Sequence, residues 1–210
     1  MATNTKNAVH LGKKNVASTL HTNDNYDKGA YYLTQNPEIY EPQRSNCFKF
    51  VVDMTGITVD DFGVSVPSND LSKTLELAVK ASSVPHFSIE KVSINRGNSQ
   101  MHFAGKPTFK DGQITVRDYI GAHTKEILLA WQRQAYNVHT QKVGLAKDYK
   151  RTATLYELTP DFQIVRTWKL FGCWISDISD PNYDADSSDV RTIDVTIVYD
   201  YGYPEVPDAE

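Results

Sequence analysis

Paired carboxylates are the first feature of this chain that could perform chemistry. Asp60 and Asp61 are adjacent, and two carboxyl groups held close together can act as a general acid and a general base. Adjacent residues of a loop or strand point apart, however, so a solvated turn fits this pair better. The run from Asp180 to Asp189 is rich in aspartate, as calcium loops are, but lacks their turn glycine and closing glutamate. We therefore predict neither an acid–base centre nor a calcium site.

Other residues suited to metal, nucleotide or nucleophile chemistry are scattered. The six histidines, at positions 10, 21, 86, 102, 123 and 139, form no pair at helical spacing and no zinc motif. The glycines at positions 97, 105, 112 and 121 are isolated turn residues rather than a phosphate loop, and no Gly-x-Ser-x-Gly elbow occurs. The prediction is a protein that is not an enzyme and has no cofactor and no metal.

The composition narrows the class of protein. Hydrophobic residues make up 40% and charged residues 23% of 210 residues, which suits one decorated soluble domain. The 12 tyrosines, 8 phenylalanines and 3 tryptophans favour strands. No apolar run approaches the roughly 20 residues of a membrane span, and the N-terminus lacks an apolar signal core, so we expect a cytosolic origin. Cys47 and Cys173 are then expected to be buried, reduced thiols.

Charge is distributed unevenly along the chain, whose net charge is −4. Past Gln163 there are ten acidic and three basic residues, whereas the part before it is slightly positive. This is unlike the basic footprint with which proteins grip nucleic acid. Two interpretations stay open: an acidic lining past which DNA slides, or acidic turns that keep the protein soluble.

Three regions are expected along the chain: an N-terminal arm (residues 1–43), a β domain (44–203) and a C-terminal tail (204–210). In the domain, alternating apolar and polar residues predict strands with one apolar and one wet face, as in an antiparallel sheet packed on one side. They cover Cys47–Met54, Leu71–Ala81, Phe87–Ile94, Gln100–Phe103, Ile114–Tyr119, Lys150–Leu158, Gln163–Trp174 and Thr192–Tyr201. A long loop, residues 56–70, follows the first strand.

One amphipathic helix is predicted over about residues 122–137. Ile127, Leu128 and Trp131 form its apolar stripe, and we place them in the core together with Trp168. The opposite face carries polar side chains, among them Lys125, Gln132 and Arg133. The predicted fold class is mainly β, a β-sandwich or half-barrel with one packed helix.

An ordered set of short motifs carries a resemblance to a known family. In chain order the motifs are Ala81–Pro85, Phe103-Ala104-Gly105, Thr108-Phe109, Asp111, Thr115-Val116, Trp131-Gln132, Asp148–Arg151 and the closing strand Asp194–Tyr201. Together they resemble the tube proteins of contractile phage tails, the family typified by the T-even phages. The resemblance covers residues 44–201.

The resemblance implies an assembly. Six copies would form a ring whose inner wall is a closed antiparallel barrel, which also seals strand edges that would otherwise invite pairing. Rings would stack into the inner tube of a contractile tail, the conduit for genome ejection in the virion, after assembly in the host cytoplasm. The implied partners are further copies, the sheath protein, baseplate and tail-terminator proteins, the tape measure protein and then DNA without sequence-specific binding. No membrane anchor is implied.

The resemblance also implies roles for particular residues. The candidates for lining the channel are Thr192, Asp194, Thr196, Asp200, Thr167 and Lys169. The loop of residues 56–70 corresponds to a family loop that reaches the adjacent ring, and its candidates are Asp60, Asp61, Phe62 and Pro67. The outer face of the helix, with Lys125, Gln132 and Arg133, would meet the sheath. The N-terminal arm is longer than in the T-even proteins and is expected to bridge neighbouring subunits.

Three alternatives stay open from the sequence. The chain fits the tube of a headless contractile injection system or a type VI secretion system. It also fits a baseplate protein that initiates a tube. The alternative from a different class is a ligand-binding β-sandwich or an enzyme, which would be a small monodisperse species with a concave pocket.

Overall fold

The computed structural model describes residues 41–57, 59 and 68–205 of the chain. The chain divides into two units between Arg44 and Ser45, and every element named below belongs to the second unit. The regions expected to be an N-terminal arm and a C-terminal tail lie mostly outside the described residues. In the described part no helix is long and apolar enough to cross a membrane.

Strands dominate the described part of the chain. They are β1 (Phe48–Val52), β2 (Val79–Ser82), β3 (Phe87–Arg96), β4 (Ser99–Phe109), β5 (Gly112–Arg117), β6 (Tyr136–Asn137), β7 (Lys142–Val143), β8 (Arg151–Leu158), β9 (Ile164–Ser179), β10 (Thr192–Val198) and β11 (Tyr201–Glu205). The helices are α1 (Ser68–Ala78), α2 (Thr124–Ala135) and α3 (Ala146–Tyr149), and a 3-10 turn (Ile120–Ala122) precedes α2. The prediction of a mainly β fold is confirmed.

Most strands form one antiparallel sheet, in the order β1-β8-β9-β10-β5-β2, with β11 also paired to β9. Its apolar face and helices α1 and α2 enclose a single core. On the apolar face of the sheet, Phe50, Leu155 and Leu170 are buried in one part. Val116 and Val195 are buried in another. The sheet of the single chain is open: within the described ranges β1 and β2 each lack a partner on one edge.

Strand β9 has 16 residues and joins the two parts of the sheet, because its first half pairs with β8 and β11 and its second half with β10. Leu170, Cys173 and Ile175 are all buried, which strict alternation would not allow. A bulge resolves the conflict: Arg151 pairs with Cys173 and Ala153 with Leu170, so one strand carries an extra residue. Gly172 occupies the bulge with a φ of +71°.

The bulge is held by a polar corner between β10 and β11. The backbone N–H of Asp200 donates to the carbonyl of Phe171 at 2.9 Å. Lys150 Nζ donates to both carboxylate oxygens of Asp200, at 2.8 and 2.7 Å. The Asp200 side chain lies so close to Gly172 that a Cβ there would collide with it.

The prediction of a strand over Leu71–Ala81 is wrong, because most of this segment belongs to helix α1. Leu71, Leu75 and Ala78 are buried at helical spacing, whereas Leu77 is 64% exposed, so the segment reaches the core with a period of 3.6 rather than 2. Only the residues of β2 are extended. The prediction of a single packed helix is therefore also wrong, since α1 and the short α3 accompany α2.

Helix α2 was predicted with ends about two residues too wide. Thr124, Ile127, Leu128, Ala130 and Trp131 form its buried side. Its start is delayed because His123, with a φ of +51°, separates it from the 3-10 turn. The β6–β7 pair and α3 follow α2, and Trp131 Nε1 donates to the carbonyl of Tyr149 at 3.0 Å.

The remaining corrections concern strand ends and the second tryptophan. The closing strand predicted as continuous breaks at Tyr199–Asp200 into β10 and β11. Trp168 is half-buried at the edge of the core, and its Nε1 donates to Glu157 Oε1 at 2.7 Å. Cys173 is buried, which raises the pKa of its thiol to about 12, and no disulfide joins it to Cys47, which lies just before β1.

Replacing Gly172 by alanine is expected to destabilise the fold by about 1–3 kcal/mol, because the positive φ and the Asp200 side chain both oppose a Cβ. Urea unfolding followed by circular dichroism measures the free energy of unfolding. Gly121→Ala is the matched control, since a Cβ there meets nothing within 4 Å. Equal stability of both variants would contradict the structural role of the bulge.

Candidate assembly surfaces

A long hairpin formed by β3 and β4, residues Phe87–Phe109, pairs with no other described strand. The register places Val92 opposite Phe103 and Ile94 opposite Met101, so these four side chains share one face. Near the base, Phe87 and Ile89 lie opposite Phe109 and Pro107 on the other face. The six large apolar side chains Phe87, Ile89, Val92, Ile94, Met101 and Phe103 are between 44% and 54% exposed. The hairpin thus presents apolar surface that the described residues leave exposed.

The base of the long hairpin is fixed to the core by Tyr199, which is only 5% exposed. Its hydroxyl accepts a hydrogen bond from the backbone N–H of His86 and donates to the His86 carbonyl, both at 3.2 Å. Burial raises the pKa of this hydroxyl, so it keeps the proton that it donates. Phe109 contacts the Tyr199 ring edge-on at 6.0 Å.

Within the hairpin a bulge near Gly105 brings the two strands close. A Cβ at Gly105 would lie 2.9 Å from the carbonyl oxygen of Glu90 and 3.1 Å from a Val92 methyl group. The register shifts between Ile89 and Lys91 at the same level. Glycine is therefore the residue that permits this strand approach.

The candidate channel residues of β10 form one polar row. Thr192, Asp194 and Thr196 alternate with buried Ile193, Val195 and Ile197, so they lie on the face of the sheet away from the core. Neighbouring strands extend the row, with Thr115 Oγ1 donating to Asp194 Oδ1 at 2.7 Å and Asp177 paired opposite Thr196.

The other channel candidates lie elsewhere on the sheet. Thr167 and Lys169 belong to the first half of β9, where Lys169 Nζ contacts Glu205 Oε1 at 2.8 Å. The stacked rings of Phe171, Tyr201 and Tyr203 follow along the same pair of strands. Asp200 is engaged at the bulge by Lys150 and lies outside the β10 row. The structure therefore brings three of the six candidates together.

The connection between β9 and β10 is acidic up to its last residue, Arg191, and residues 180–190 are named the acidic loop. Lys125 Nζ contacts Asp180 Oδ2 at 2.6 Å, and Arg191 contacts Asp180 at 3.3 Å and Asp118 at 3.7 Å. Burial opposes ionisation of Asp180, but its bonds to Lys125 and Arg191 outweigh burial and lower its pKa. The guanidinium of Arg191 also lies 4.0 Å from the centre of the Tyr183 ring. These contacts fix both ends of the loop.

The three candidates for a sheath contact have different surroundings. Lys125 is engaged with Asp180, whereas Gln132 and Arg133 line an open groove of about 800 Å³ between α2 and β9. Leu129, Trp174 and Ile175 supply its apolar lining.

The inter-ring candidates Asp60, Asp61, Phe62 and Pro67 lie outside the described residues, while Ser68–Asp70 open helix α1. In the part that is described, no group of three or more His, Cys, Asp or Glu is placed to hold a metal ion.

An open antiparallel sheet with helices α1 and α2 packed on it and a separate long hairpin defines the class: a mainly β domain with exposed apolar surface. The family model described as T4-like virus tail tube protein gp19 matches residues 46–202. The chain therefore belongs to the tail tube protein family of T4-like viruses, whose members are structural proteins of contractile tails.

Individual relatives agree with this membership. The tail tube protein gp19 of Enterobacteria phage T4 and that of phage T6 are each 25% identical over 134 residues, 62% of this chain and 82% of theirs. Among solved structures, a chain of the sheath–tube complex of an extracellular contractile injection system, PVC, in its extended state has a TM-score of 0.57. It is 15% identical, over 82% of this chain and 96% of the other. A chain of the anti-feeding prophage (AFP) baseplate has a TM-score of 0.55 at 13% identity, over 80% and 98%.

Tyr199→Phe is expected to lower the free energy of unfolding by about 1 kcal/mol and to loosen the base of the hairpin, because both bonds to His86 are lost. Amide hydrogen exchange at His86 and at Lys110, which donates to the His86 carbonyl, should become faster. Tyr203→Phe, at an exposed tyrosine, is the control and should leave both rates unchanged. Unchanged exchange in Tyr199→Phe would show that the hydroxyl does not hold the hairpin.

Proposed function

We propose that the chain forms the inner tube of a contractile phage tail, as stacked rings of six copies, and that the tube conducts the genome into the host. The observation that carries the proposal is the long hairpin, whose apolar side chains stay exposed in the single chain. Membership of the tail tube family supports the tube, and the exposed hairpin explains why copies would associate.

Energetic considerations favour a partner for the hairpin. A two-stranded hairpin alone is marginally stable in water, and contiguous exposed apolar surface usually marks an interaction site. Covering Val92, Ile94, Met101 and Phe103 would remove their apolar area from water, a gain of about 25 cal/mol per Å². A neighbouring copy is present at the same concentration and carries the same surfaces.

The open edges of β1 and β2 support ring formation. Unpaired strand edges invite pairing, and a closed assembly of identical subunits removes them. In the proposed ring each edge meets a neighbour, and the sheets together form a closed antiparallel barrel. The loop of residues 56–70, with Asp60, Asp61, Phe62 and Pro67, remains a proposed contact to the adjacent ring, and the N-terminal arm a proposed bridge between subunits.

The polar row of Thr192, Asp194 and Thr196 supports the channel lining. Hydroxyl and carboxylate groups offer phosphate no positive partner, so a wall that carries them lets DNA slide. Thr167, Lys169 and Asp200 stay secondary candidates for the same wall. The alternation with buried core residues keeps the row on the face away from the core.

The neighbouring structures suggest the partners. The similar chains come from a sheath–tube complex, a sheath/tube terminator, a tube-terminating cap and a baseplate. By analogy, the proposed partners of this chain are a sheath protein, terminator and baseplate proteins, with the tape measure protein and then DNA in the lumen. The sheath would meet Lys125, Gln132 and Arg133 of α2. Assembly would take place in the host cytoplasm.

A second candidate function is the tube of a headless contractile injection system. Its support is the similarity in fold to a chain of the sheath–tube complex of the extracellular system, of which 96% is covered. Genes for a capsid and a packaging motor beside the gene of this chain would decide for the phage tail.

The purified chain is expected to form rings or hollow filaments visible by negative-stain microscopy. Val92→Ser combined with Phe103→Ser should keep the fold and abolish these assemblies, because both side chains are exposed in the monomer. Val143→Ser combined with Phe162→Ser, which removes exposed apolar groups elsewhere, is the control and should assemble normally. Lone globules at every concentration of the wild-type chain would refute the tube.

Asp194→Lys is expected to leave tubes intact but to slow DNA release from particles that contain it. Each copy would add one lysine to the channel wall, and these lysines would attract phosphate. The measurement is the fraction of genome released after ejection is triggered. Asp148→Lys, an exposed acidic residue on α3, serves as the control. Normal release from the Asp194→Lys particles would remove Asp194 from the channel wall.

A further inference from the structure

The base of the long hairpin and the acidic loop lie at opposite ends of the paired strands β5 and β10. The hairpin ends at Phe109, just before β5 begins at Gly112, and Gly112 pairs with Ile197. The acidic loop precedes Thr192, which pairs with Arg117 at the other end of the ladder. At about 3.3 Å per residue the two ends of β10 are roughly 20 Å apart.

The long hairpin carries unmatched positive charge. Between Phe87 and Phe109 there are three basic residues, Lys91, Arg96 and Lys106, and one acidic residue, Glu90. All four are exposed, and none forms an ion pair with another residue of the described ranges. The hairpin therefore offers a net charge of +2 to a partner.

The acidic loop carries the opposite charge. It contains four aspartates and no basic residue, and Lys125 and Arg191 neutralise only Asp180. Asp184, Asp186 and Asp189 are exposed and have no ion pair within the part of the chain that the structure describes. Because Lys125 and Arg191 hold Asp180 at the start of the loop, these three carboxylates lie between anchored ends.

We propose that the long hairpin of one copy docks on the acidic loop of the next copy, head to tail. The proposal rests on the proposed function and names the surfaces that join successive copies. Among the described residues no ion pair joins the hairpin to the acidic loop, whereas the two surfaces would meet if copies repeat along the strand direction. A contact between two different surfaces of identical chains builds rings or open stacks rather than closed dimers.

Apolar groups at both surfaces fit the same pairing. Val92, Ile94 and Phe103 are exposed on the hairpin, and Tyr183 and Val190 are 87% and 72% exposed in the acidic loop. Charge would align the two surfaces, and apolar contact would hold them.

The test is a charge swap in the full-length chain. Lys91→Glu with Lys106→Glu reverses the hairpin, and Asp186→Lys with Asp189→Lys reverses the acidic loop. Each double variant should lower the assembled fraction at low salt about tenfold or more, since several exposed pairs become repulsive. The quadruple variant, in which both surfaces are reversed, should recover assembly. Sedimentation measures the assembled fraction, and thermal unfolding shows that each variant is folded.

Lys142→Glu with Lys147→Glu is the matched control, because both lysines are exposed and lie outside the hairpin. Reversing their charge should leave assembly unchanged. Wild-type assembly should also weaken as sodium chloride screens the exposed charges.

Failure of the quadruple variant to recover, in a chain whose wild type assembles, would overturn this pairing and leave the tube proposal standing. An equal loss in the control variant would overturn the pairing as well. Failure of the wild type itself to assemble would instead refute the proposed function.

Discussion

The structure depends on keeping one face of β9 against the core while its two halves pair with different strands. A regular strand would turn Cys173 and Ile175 towards solvent, because they are out of step with Leu170. The bulge at Gly172 restores the match, and Asp200 and Lys150 secure it from the polar side. Strands β10 and β11 therefore both pair with the one long strand β9. The helices and the base of the hairpin then share one core, and the polar row lies on the opposite face of the sheet.

The spacing of hydrophobic residues predicted those helices and strands in which buried positions recur with one regular period. The spacing of Ile127, Leu128 and Trp131 found α2, and alternation found most strands of the main sheet. It failed at Leu71–Ala81, because the positions of Leu71 and Leu75 fit both a strand and a helix. The burial of Ala78 and the exposure of Leu77 separate the two. The break at Tyr199–Asp200 also escaped prediction, because it is set by a bulge on a different strand.

The candidate surfaces were predictable only in part. Alternation along β10 placed Thr192, Asp194 and Thr196 on one wet face, as observed. The same alternation in β3 and β4 was visible, but sequence does not tell an apolar face that meets its own core from one that the chain leaves uncovered. The role of Tyr199 depends on a hydrogen bond to a residue 113 positions away, which no local pattern reveals.

The isolated hairpin has a kinetic consequence. Two strands without a third gain little order by themselves, so in the proposed tube the first encounter of two free copies would fix both the hairpin and the docking geometry at once. A growing end already presents a fixed seat, and each arriving copy then meets a smaller entropic barrier. Assembly of the proposed tube should accordingly show a lag that a preformed seed removes, because the seed supplies the template for growth.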